Sequence, residues 1–468
     1  MRKTNEGANA YEHSLNHALE FFSKAGSLFT KKQNFYKGNE SALSLFQKSF
    51  IVDEELTFRI LLWLRDCRGG AGNRSGAREC LHWLANYKPE WVIENIGWIP
   101  FIGRWDDMKA LFRTPVEKYA VQMWATALKE GNVLAAKWAD RNDKPLRKEM
   151  GMKVGDFRRF LAKIRSPHIV EHKMCQKEWR KINYEQIPSV AMARYTKAFG
   201  RNDEERFEAY KIALSNGKAD IKADVLFPHD CVRTARRGDS KIADAQFEAL
   251  PNFMENTNEQ IIVISDTSGS MDVRIAGEIR AVDISQGLAL YCSSKIHKNS
   301  PFYKKFIGFC SESTFKNWEG MTFSQAVKNH EIFDGAVGAT RIDTALMLIL
   351  KTAQAFRIEQ ELMPATLLIV SDMQFHSGRF GMHGCENNAT EIERCLKEYD
   401  KAGYERPKIV YWNTDGYGGA QATAFHKDVA MISGFATGIL KAVLSGDDFS
   451  PMAVMMRALE KYEIVRPS

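Results

Sequence analysis

The sequence lacks an apolar run long enough to cross a lipid bilayer. Its longest runs, such as 60–64 and 346–350, hold about five residues, whereas a spanning helix needs about 20. The basic first residues lead into a polar stretch with no apolar core and no cleavage site, so they do not resemble a secretory signal. We therefore expect a cytoplasmic protein with no membrane partner.

Closely spaced cysteines are also missing. The 468 residues include eight cysteines, which are scattered at long spacings with no C-x-x-C pair. Such spacing is typical of buried or incidental thiols in a reducing compartment. The sequence therefore predicts neither a disulfide framework nor a zinc knuckle.

The first half of the chain has fewer acidic than basic residues, whereas the second half does not. Residues 1–250 hold 43 Lys and Arg against 32 Asp and Glu, whereas residues 251–468 hold 22 against 26. The basic excess is densest at 141–200, which holds 15 basic and 6 acidic side chains. If the chain binds a polyanion such as a nucleic acid, we expect it to bind there, although a basic stretch alone is more often a solvated helix face.

The two halves also differ in hydrophobic pattern. In residues 1–250 apolar side chains recur at helical spacing between Gly, Pro and Asn breaks, which predicts an all-α, HEAT-like helical-repeat domain. In residues 251–468 short apolar runs alternate with amphipathic stretches, which predicts a doubly wound α/β domain. The polar segment 236–258 is the expected linker.

Oxygen-bearing side chains lie at the ends of two predicted strands of the second half and before a predicted helix. They are Asp266, Ser268 and Ser270 after the apolar run 261–264, Thr340 before an amphipathic stretch, and Asp372 after the run 367–370. Because parallel strands bring their carboxyl ends to one edge of a sheet, we expect these groups to lie together. Carboxylate and hydroxyl oxygens suit a divalent cation such as Mg²⁺ or Mn²⁺.

The pattern Asp266-x-Ser268-x-Ser270, followed by Thr340 and Asp372, resembles the metal-ion-dependent adhesion site of von Willebrand factor A domains. The resemblance implies that these oxygens coordinate the cation, directly or through water, and leave a position open for an acidic group of a protein partner. Arg341 departs from the family pattern, in which Asp or Asn often follows the Thr. This cation could lower the affinity for a metal or could itself meet an anionic partner.

The helical half contains a series of short motifs in a fixed order. They are Arg65-Asp66-x-Arg68-Gly69-Gly70-x-Gly72, Gly103-Arg104-Trp105-Asp106-Asp107, Val170-Glu171-His172, Pro188-Ser189-x-Ala191-Met192 and Phe227-Pro228-His229-Asp230. Together with the A-type domain that follows, this order resembles the Ro autoantigen (TROVE) family and its uncharacterised viral and plant relatives. In that family a helical ring precedes the A domain.

The resemblance implies an RNA-binding protein of Ro type, which binds small structured or misfolded non-coding RNA on the basic surface of its ring. Such a ribonucleoprotein carries out no chemistry of its own, so we expect no enzyme. The matching helices place the RNA contacts at Arg158, Arg159, Lys163, Arg165, His172 and Lys173. The family also implies a monomer whose ring closes through its own A domain, with the flank of that domain against residues 16–29.

Other interpretations compete with this one. A protein-interaction adaptor would capture an acidic partner residue through the metal and would use the helical half only as a scaffold. The pattern His168-x-x-Glu171-His172 matches an inverted zinc-protease motif, but no third ligand is apparent. The glycine-rich segment 69–74 lacks the G-K-[ST] of a phosphate-binding loop and predicts a turn between helices instead.

Overall fold

The computed structural model of the chain describes most of the two halves. The described residues are 2–3, 9–10, 14–28, 41–165, 168–254, 260–276, 278–309, 312–333, 340–375, 390–414, 422–423, 426–434, 437–444 and 449–467. A helical region is followed by a mainly parallel sheet with flanking helices, which confirms the predicted fold class. No helix in the described part of the chain is long and apolar enough to span a membrane.

Short helices in series make up the first half. They are α1 (His17–Ala25), α2 (Ala42–Val52), α3 (Glu54–Arg65), α4 (Ser75–Tyr87), α5 (Pro89–Glu94), α6 (Trp98–Ile102), α7 (Glu117–Lys129), α8 (Val133–Trp138), α9 (Lys144–Glu149), α10 (Val154–Arg165), α11 (Val170–Cys175), α12 (Ser189–Asn202), α13 (Glu204–Ser215), α14 (Pro228–Arg236) and α15 (Ser240–Glu248). Side-chain caps fix several of the starts: the Asp53 carboxylate, for example, accepts a hydrogen bond of 2.9 Å from Leu56 N at the start of α3. The segment 69–74 is the turn between α3 and α4, as predicted.

Two features of the first half differ from the prediction. Strands β1 (Arg2–Lys3) and β2 (Asn9–Ala10) form a short antiparallel pair in the region predicted to be all helix. Helix α15 lies inside the segment expected to be a linker. It forms there because Ile242, Ala243 and Phe247 are spaced to bury one helix face, which outweighs the polar composition of the segment.

The second half forms an α/β domain. Its elements are β3 (Ile261–Asp266), β4 (Arg274–Ala276), β5 (Ile279–Arg280), α16 (Ala281–Lys295), β6 (Lys305–Phe309), β7 (Ser313–Asn317), α17 (Phe323–Lys328), α18 (Ile342–Phe356), β8 (Thr366–Ser371), α19 (Glu391–Lys401), β9 (Lys408–Asn413), β10 (Val429–Ser433), α20 (Ile439–Val443) and α21 (Pro451–Leu459). The main sheet has the order β10-β9-β8-β3-β6-β7, in which only the edge strand β7 is antiparallel to its neighbour. The chain continues from β3 to one side and later returns to its other side at β8. The sheet therefore has its switch point between β3 and β8, where doubly wound folds bind ligands.

The apolar side chains of the described residues form two separate cores. The larger core joins helices α1–α10, α14 and the sheet, and includes Trp63 and Trp124 as well as the buried strand residues. The smaller core lies among α11, α12, α13 and α15 and is centred on Tyr184, Phe199 and Phe207. Residues 170–242 therefore form a module that is packed partly around its own apolar centre.

Both ends of the helical half contact the α/β domain. At one end, the Ser27 hydroxyl donates to Asn413 O at 2.7 Å and accepts from Gly434 N at 2.9 Å, and Gly26 N donates to the Ser433 hydroxyl at 3.0 Å. A Cβ on Gly26 would lie 2.6 Å from that hydroxyl oxygen, so only glycine allows this approach. The flank of the second domain therefore lies against the first helix, as the resemblance implied for the described residues 16–28.

At the other end of the helical half, α14 packs against α16. A Cβ on Gly287 of α16 would lie 2.7 Å from His229 N, so the two helices approach each other at a glycine. The helical half is thus joined to the second domain at its beginning and at its end.

The C-terminal tail strengthens the first of these junctions. The buried Asp66 carboxylate accepts from Lys461 Nζ at 2.6 Å and from the Tyr462 hydroxyl at 2.8 Å. Burial acts to raise the pKa of Asp66, but the Lys461 ammonium and these hydrogen bonds outweigh it and hold the pKa below its usual value. The motif that contains Asp66 therefore fastens the end of the chain to the helical half.

Candidate functional site

The carboxyl ends of β3 and β8 bring two acidic residues to the switch point. The strands pair in parallel, with Ser265 opposite Val370, so Asp266 and Asp372 leave the same edge of the sheet. Both are buried, at 0% and 3% exposure. The Asp266 carboxylate accepts a hydrogen bond from the Ser371 hydroxyl at 2.5 Å. The two predicted carboxylates therefore meet at one place.

The loop after β3 adds hydroxyl groups to this edge. Ser268 N donates to the second oxygen of Asp266 at 2.9 Å, which folds the chain back over the carboxylate. The hydroxyl oxygens of Ser268 and Ser270 are 3.0 Å apart, and Ser270 opens to solvent while Ser268 is buried. A short 3-10 turn, Gly269–Asp272, follows and buries Met271 beneath the loop.

The amino end of α18 lies at the same edge. Thr267 N donates to Phe309 O at 3.1 Å, Phe309 pairs with Ser313, and the Ser313 hydroxyl is 2.6 Å from the Thr344 hydroxyl on the first turn of α18. Thr340 precedes that turn and is buried at 2% exposure. Residues 338 and 339 of the same loop lie outside the described residues.

The candidate site places two carboxylates, those of Asp266 and Asp372, in a buried position. Burial and the nearby Asp372 carboxylate raise the pKa of Asp266 to about 7, although hydrogen bonds from Ser371 and Ser268 partly offset them. Two ionised carboxylates at this depth are costly without a counter-charge. A cation bound by carboxylate and hydroxyl oxygens would relieve that cost, so the residues present fit a hard divalent ion such as Mg²⁺.

Arg341 forms an ion pair of its own beside the site. Its guanidinium pairs with the buried carboxylate of Asp343, with Nε donating at 2.8 Å. The Arg341 side chain, which could lower the affinity for a metal or meet an anionic partner, is therefore held by an acid two residues further along the chain. Asp343 was not singled out in the sequence, because an acid in the first turn of a helix is ordinary.

A row of ion pairs leads from this loop to the helical half. Arg280 pairs with Asp272 at 2.7 Å and with Asp283 at 3.2 Å, and Asp283 also pairs with Arg236 of α14. Asp283 is almost fully buried, whereas Asp272 is exposed. We call Asp272, Arg280, Asp283 and Arg236 the ion-pair row. Sequence reasoning missed it because its members lie on four separate elements.

The residues predicted to contact RNA lie on two successive helices. Arg158, Arg159 and Lys163 are exposed on α10, opposite the buried Phe157 and Leu161. Arg159 pairs with Asp156 at 2.6 Å, and Arg158 contacts Asn142.

Arg165, also on α10, has a structural role as well. Its Nε donates to Ala136 O at 2.7 Å, and it also donates to Ala139 O, so it satisfies carbonyls at the end of α8. His172 and Lys173 lie on α11 and are both partly buried.

Comparison with known protein families shows which family the chain belongs to. The family described as a domain of unknown function (DUF2828) matches residues 4–158 and 153–265, which together span more than half of the chain. The chain belongs to the DUF2828 family. A second family of unknown function (DUF7788) matches residues 260–463, the α/β domain of this DUF2828 chain. The two matches meet where β3 begins.

Two individual proteins are similar to this DUF2828 chain over most of its length. The uncharacterized protein L728 of Acanthamoeba polyphaga mimivirus is 24% identical over 521 residues, which cover 98% of this chain and 87% of that protein. The crystal structure of the Ro (RSR) protein of Deinococcus radiodurans matches with a TM-score of 0.37 and 13% identity, over 95% of this chain and 99% of that one.

The zinc-protease pattern of the DUF2828 chain does not assemble a metal site. Glu171 pairs with Lys137 at 3.2 Å and accepts from the Tyr195 hydroxyl at 3.3 Å. Within the described ranges, no three His, Cys, Asp or Glu side chains gather where they could hold a metal ion. Glu171 is thus engaged by Lys137 and Tyr195, while His168 is exposed just before α11.

Proposed function

We propose that this protein binds structured RNA, as the Ro-type resemblance of its sequence motifs implies. The basic surface formed by residues 141–165 would supply most of the phosphate contacts, next to His172 and Lys173 of α11. We call residues 141–165, which include α9 and α10, the α9–α10 surface. In this proposal the protein acts as a cytoplasmic, monomeric ribonucleoprotein component for small non-coding RNA, without chemistry of its own. A divalent cation, Mg²⁺ or Mn²⁺, is held by the side-chain oxygens of Asp266, Ser268, Ser270, Thr340 and Asp372.

The charge of the α9–α10 surface is the observation that carries the proposal. It holds nine Lys and Arg against three Asp and Glu. The cations that are exposed are Arg141, Lys144, Lys148, Lys153, Arg158, Arg159 and Lys163, while one of the acids, Asp143, is buried. Apart from Arg158 and Arg159, these exposed cations make no hydrogen bond or ion pair with the described residues. They are therefore available to phosphates.

Such a surface favours binding to the phosphate backbone of a nucleic acid. Lys and Arg neutralise phosphates and release counterions, which gives affinity with little sequence preference and a strong dependence on salt. Double-stranded RNA is recognised mainly by shape and by phosphate and sugar contacts, so exposed cations on successive helices suffice for it. Discrimination among RNAs would then come from their folded shape.

Purification without nuclease tests the proposal. The protein is purified once at low salt and once at high salt, and the RNA that co-purifies is sequenced. We expect a small structured RNA that is present at low salt and lost at high salt. The double variant Arg159→Glu, Lys163→Glu should then weaken binding of that RNA and reduce the slope of log affinity against log salt by about two. Arg165 is left intact because its reversal would also break the end of α8.

A matched control is Lys351→Glu, which reverses an exposed lysine on α18 of the other domain. It should leave RNA affinity nearly unchanged. If both variants weaken binding equally, net charge rather than the α9–α10 surface determines affinity. If no RNA binds at low salt, the proposal is wrong.

The sheet edge supports a second candidate function, cation-dependent capture of an acidic protein partner. The specific observation is the buried pair Asp266 and Asp372, with one hydroxyl, that of Ser270, open to solvent. A bound cation would hold the partner's carboxylate while the helical half acted as a scaffold. Retention of a partner protein that is lost on chelation and in Asp266→Ala, without RNA affinity, would favour this function over the first.

A further inference from the structure

A cleft of about 380 Å³ lies between α12 and the junction of α14 with α15. One wall is formed by Arg194, Thr196 and Lys197 of α12, and the other by Thr234, Arg237 and Asp239. It belongs to the module of residues 170–242 and contains none of the residues of the α9–α10 surface or the sheet edge. Its size falls in the range of small-ligand pockets, which is roughly 300–1,000 Å³.

The α12 wall of the cleft carries two cations that repel each other. Arg194 and Lys197 are three residues apart on one helix, so they lie on the same face. Both are exposed, and neither forms a hydrogen bond or ion pair with any residue in the part of the chain that the structure describes. Thr196 between them also has a hydroxyl without a partner among those residues. The wall therefore presents donors that no protein group uses.

The opposite wall adds a third cation and one weak counter-charge. Arg237 donates to Glu278 at 2.8 Å, but Glu278 also pairs with Arg233 at 3.1 Å and is shared between the two. Asp239 is the only acid of the lining, and burial raises its pKa, although the Lys211 ammonium acts against this. The cleft thus holds three cations against one acid.

From this arrangement we infer that the cleft between α12 and α14–α15 binds the phosphate group of a nucleotide. A phosphate offers three oxygens to the guanidinium forks of Arg194 and Arg237, to the Lys197 ammonium and to the Thr196 hydroxyl. The remaining volume accommodates the nucleoside. The phosphate belongs to a free nucleotide or to a nucleotide within single-stranded RNA; only the second source rests on the proposed function.

Binding to the full-length protein tests the inference with three probes. They are adenosine 5′-monophosphate, inorganic phosphate and a single-stranded RNA of about ten nucleotides, the span of a typical single-strand site. Isothermal titration should show saturable binding of the nucleotide that inorganic phosphate competes away. The variant Arg194→Glu, Lys197→Glu should weaken nucleotide binding by about tenfold or more, as expected for lost charge-assisted hydrogen bonds.

Two control variants keep the inference separate from the proposed function. Arg201→Glu reverses the charge of an exposed arginine on the same helix but outside the cleft. Lys163→Glu reverses the charge of an exposed lysine on the α9–α10 surface. Neither should change nucleotide affinity, and thermal unfolding should show that all variants are folded. RNA affinity lost in the cleft variant, with no binding of the free nucleotide, would identify the source as RNA.

Three results would overturn the inference. One is that neither the nucleotide nor the single-stranded RNA depends on Arg194 and Lys197. The second is that Arg201→Glu weakens binding as much as the cleft variant. The third is that an acidic peptide binds the cleft and excludes the nucleotide without itself being displaced by phosphate. Loss of structured-RNA binding in Lys163→Glu, with nucleotide binding intact, would concern the proposed function alone.

Discussion

Replacing Asp372 by Asn should stabilise the cation-free protein and abolish its response to Mg²⁺. In the folded protein the pKa of Asp266 rises from 3.8 to about 7 because of burial and the Asp372 carboxylate. About three pKa units correspond to about 4 kcal/mol, which is the upper limit for the cost of keeping Asp266 ionised above pH 7. Asn is nearly isosteric and can still accept the 3.0 Å hydrogen bond from Gln374 N, so the substitution removes the charge repulsion while it keeps this contact.

The sign of the pH dependence follows from linkage. The folded protein holds the Asp266 proton more tightly than the unfolded chain, so stability without a cation should fall as pH rises from about 4 to 7. Asp372→Asn should make this fall shallower, although burial, the larger cause, remains. It should also raise the melting temperature at pH 8, at about 2–4 °C per kcal/mol for a domain of this size. Differential scanning calorimetry with EDTA or Mg²⁺, between pH 5 and 8, measures both effects.

Mg²⁺ should stabilise the wild type most at high pH, where both carboxylates are ionised, and should not stabilise the variant. The matched control is Asp428→Asn, an exposed acid just before β10 in a left-handed conformation that Asn also accepts. It should leave the pH and Mg²⁺ effects unchanged. The reasoning is refuted if Asp372→Asn lowers cation-free stability at pH 8, or if Mg²⁺ stabilises variant and wild type equally.

Three further substitutions test the junctions between the two halves by chemical denaturation. Ser27→Ala removes two interdomain hydrogen bonds and should cost about 1–3 kcal/mol, and an unchanged midpoint would show that the junction does not depend on them. Lys461→Met leaves the carboxylate of Asp66 buried without its cation and should lower the free energy of unfolding. Because the pKa of Asp66 is lowered in the folded protein, this loss of stability should be complete at pH 7 and should shrink as the solution is made acidic. Gly287→Val should push α16 from His229 and cost about 1–3 kcal/mol or more, whereas the same change at Gly269, where a Cβ would meet nothing, should cost less.

The hydrophobic pattern predicted most of the architecture because it reflects burial directly. The runs 261–264 and 367–370 became β3 and β8, since fully buried parallel strands are apolar on both faces. Strand β7 was missed: it is an exposed edge strand with the sequence STFKN, which carries no such pattern. Helix α15 was missed for a related reason, because its few buried residues stand among polar ones.

The carboxylates of the candidate metal site could be found because each follows a recognisable strand. The position of Asp266 and Asp372 depends only on which strands are parallel and adjacent. The Arg341–Asp343 pair, the ion-pair row and the α12 cleft depend on distances between elements far apart in the chain, which no local pattern encodes. The role of Arg165 in completing α8 depends likewise on how two helices pack.

The ion-pair row has a thermodynamic consequence. Asp272 belongs to the loop of the candidate cation site, and Arg236 belongs to a helix of the other half, with Arg280 and Asp283 between them. We expect a ligand that displaces either end of the row to change the energy of the other end. If cation binding alters the affinity for RNA by some factor, RNA must alter the affinity for the cation by the same factor. A titration of either ligand in the presence of the other would therefore measure one coupling free energy, which should vanish when Arg280 is replaced by Met.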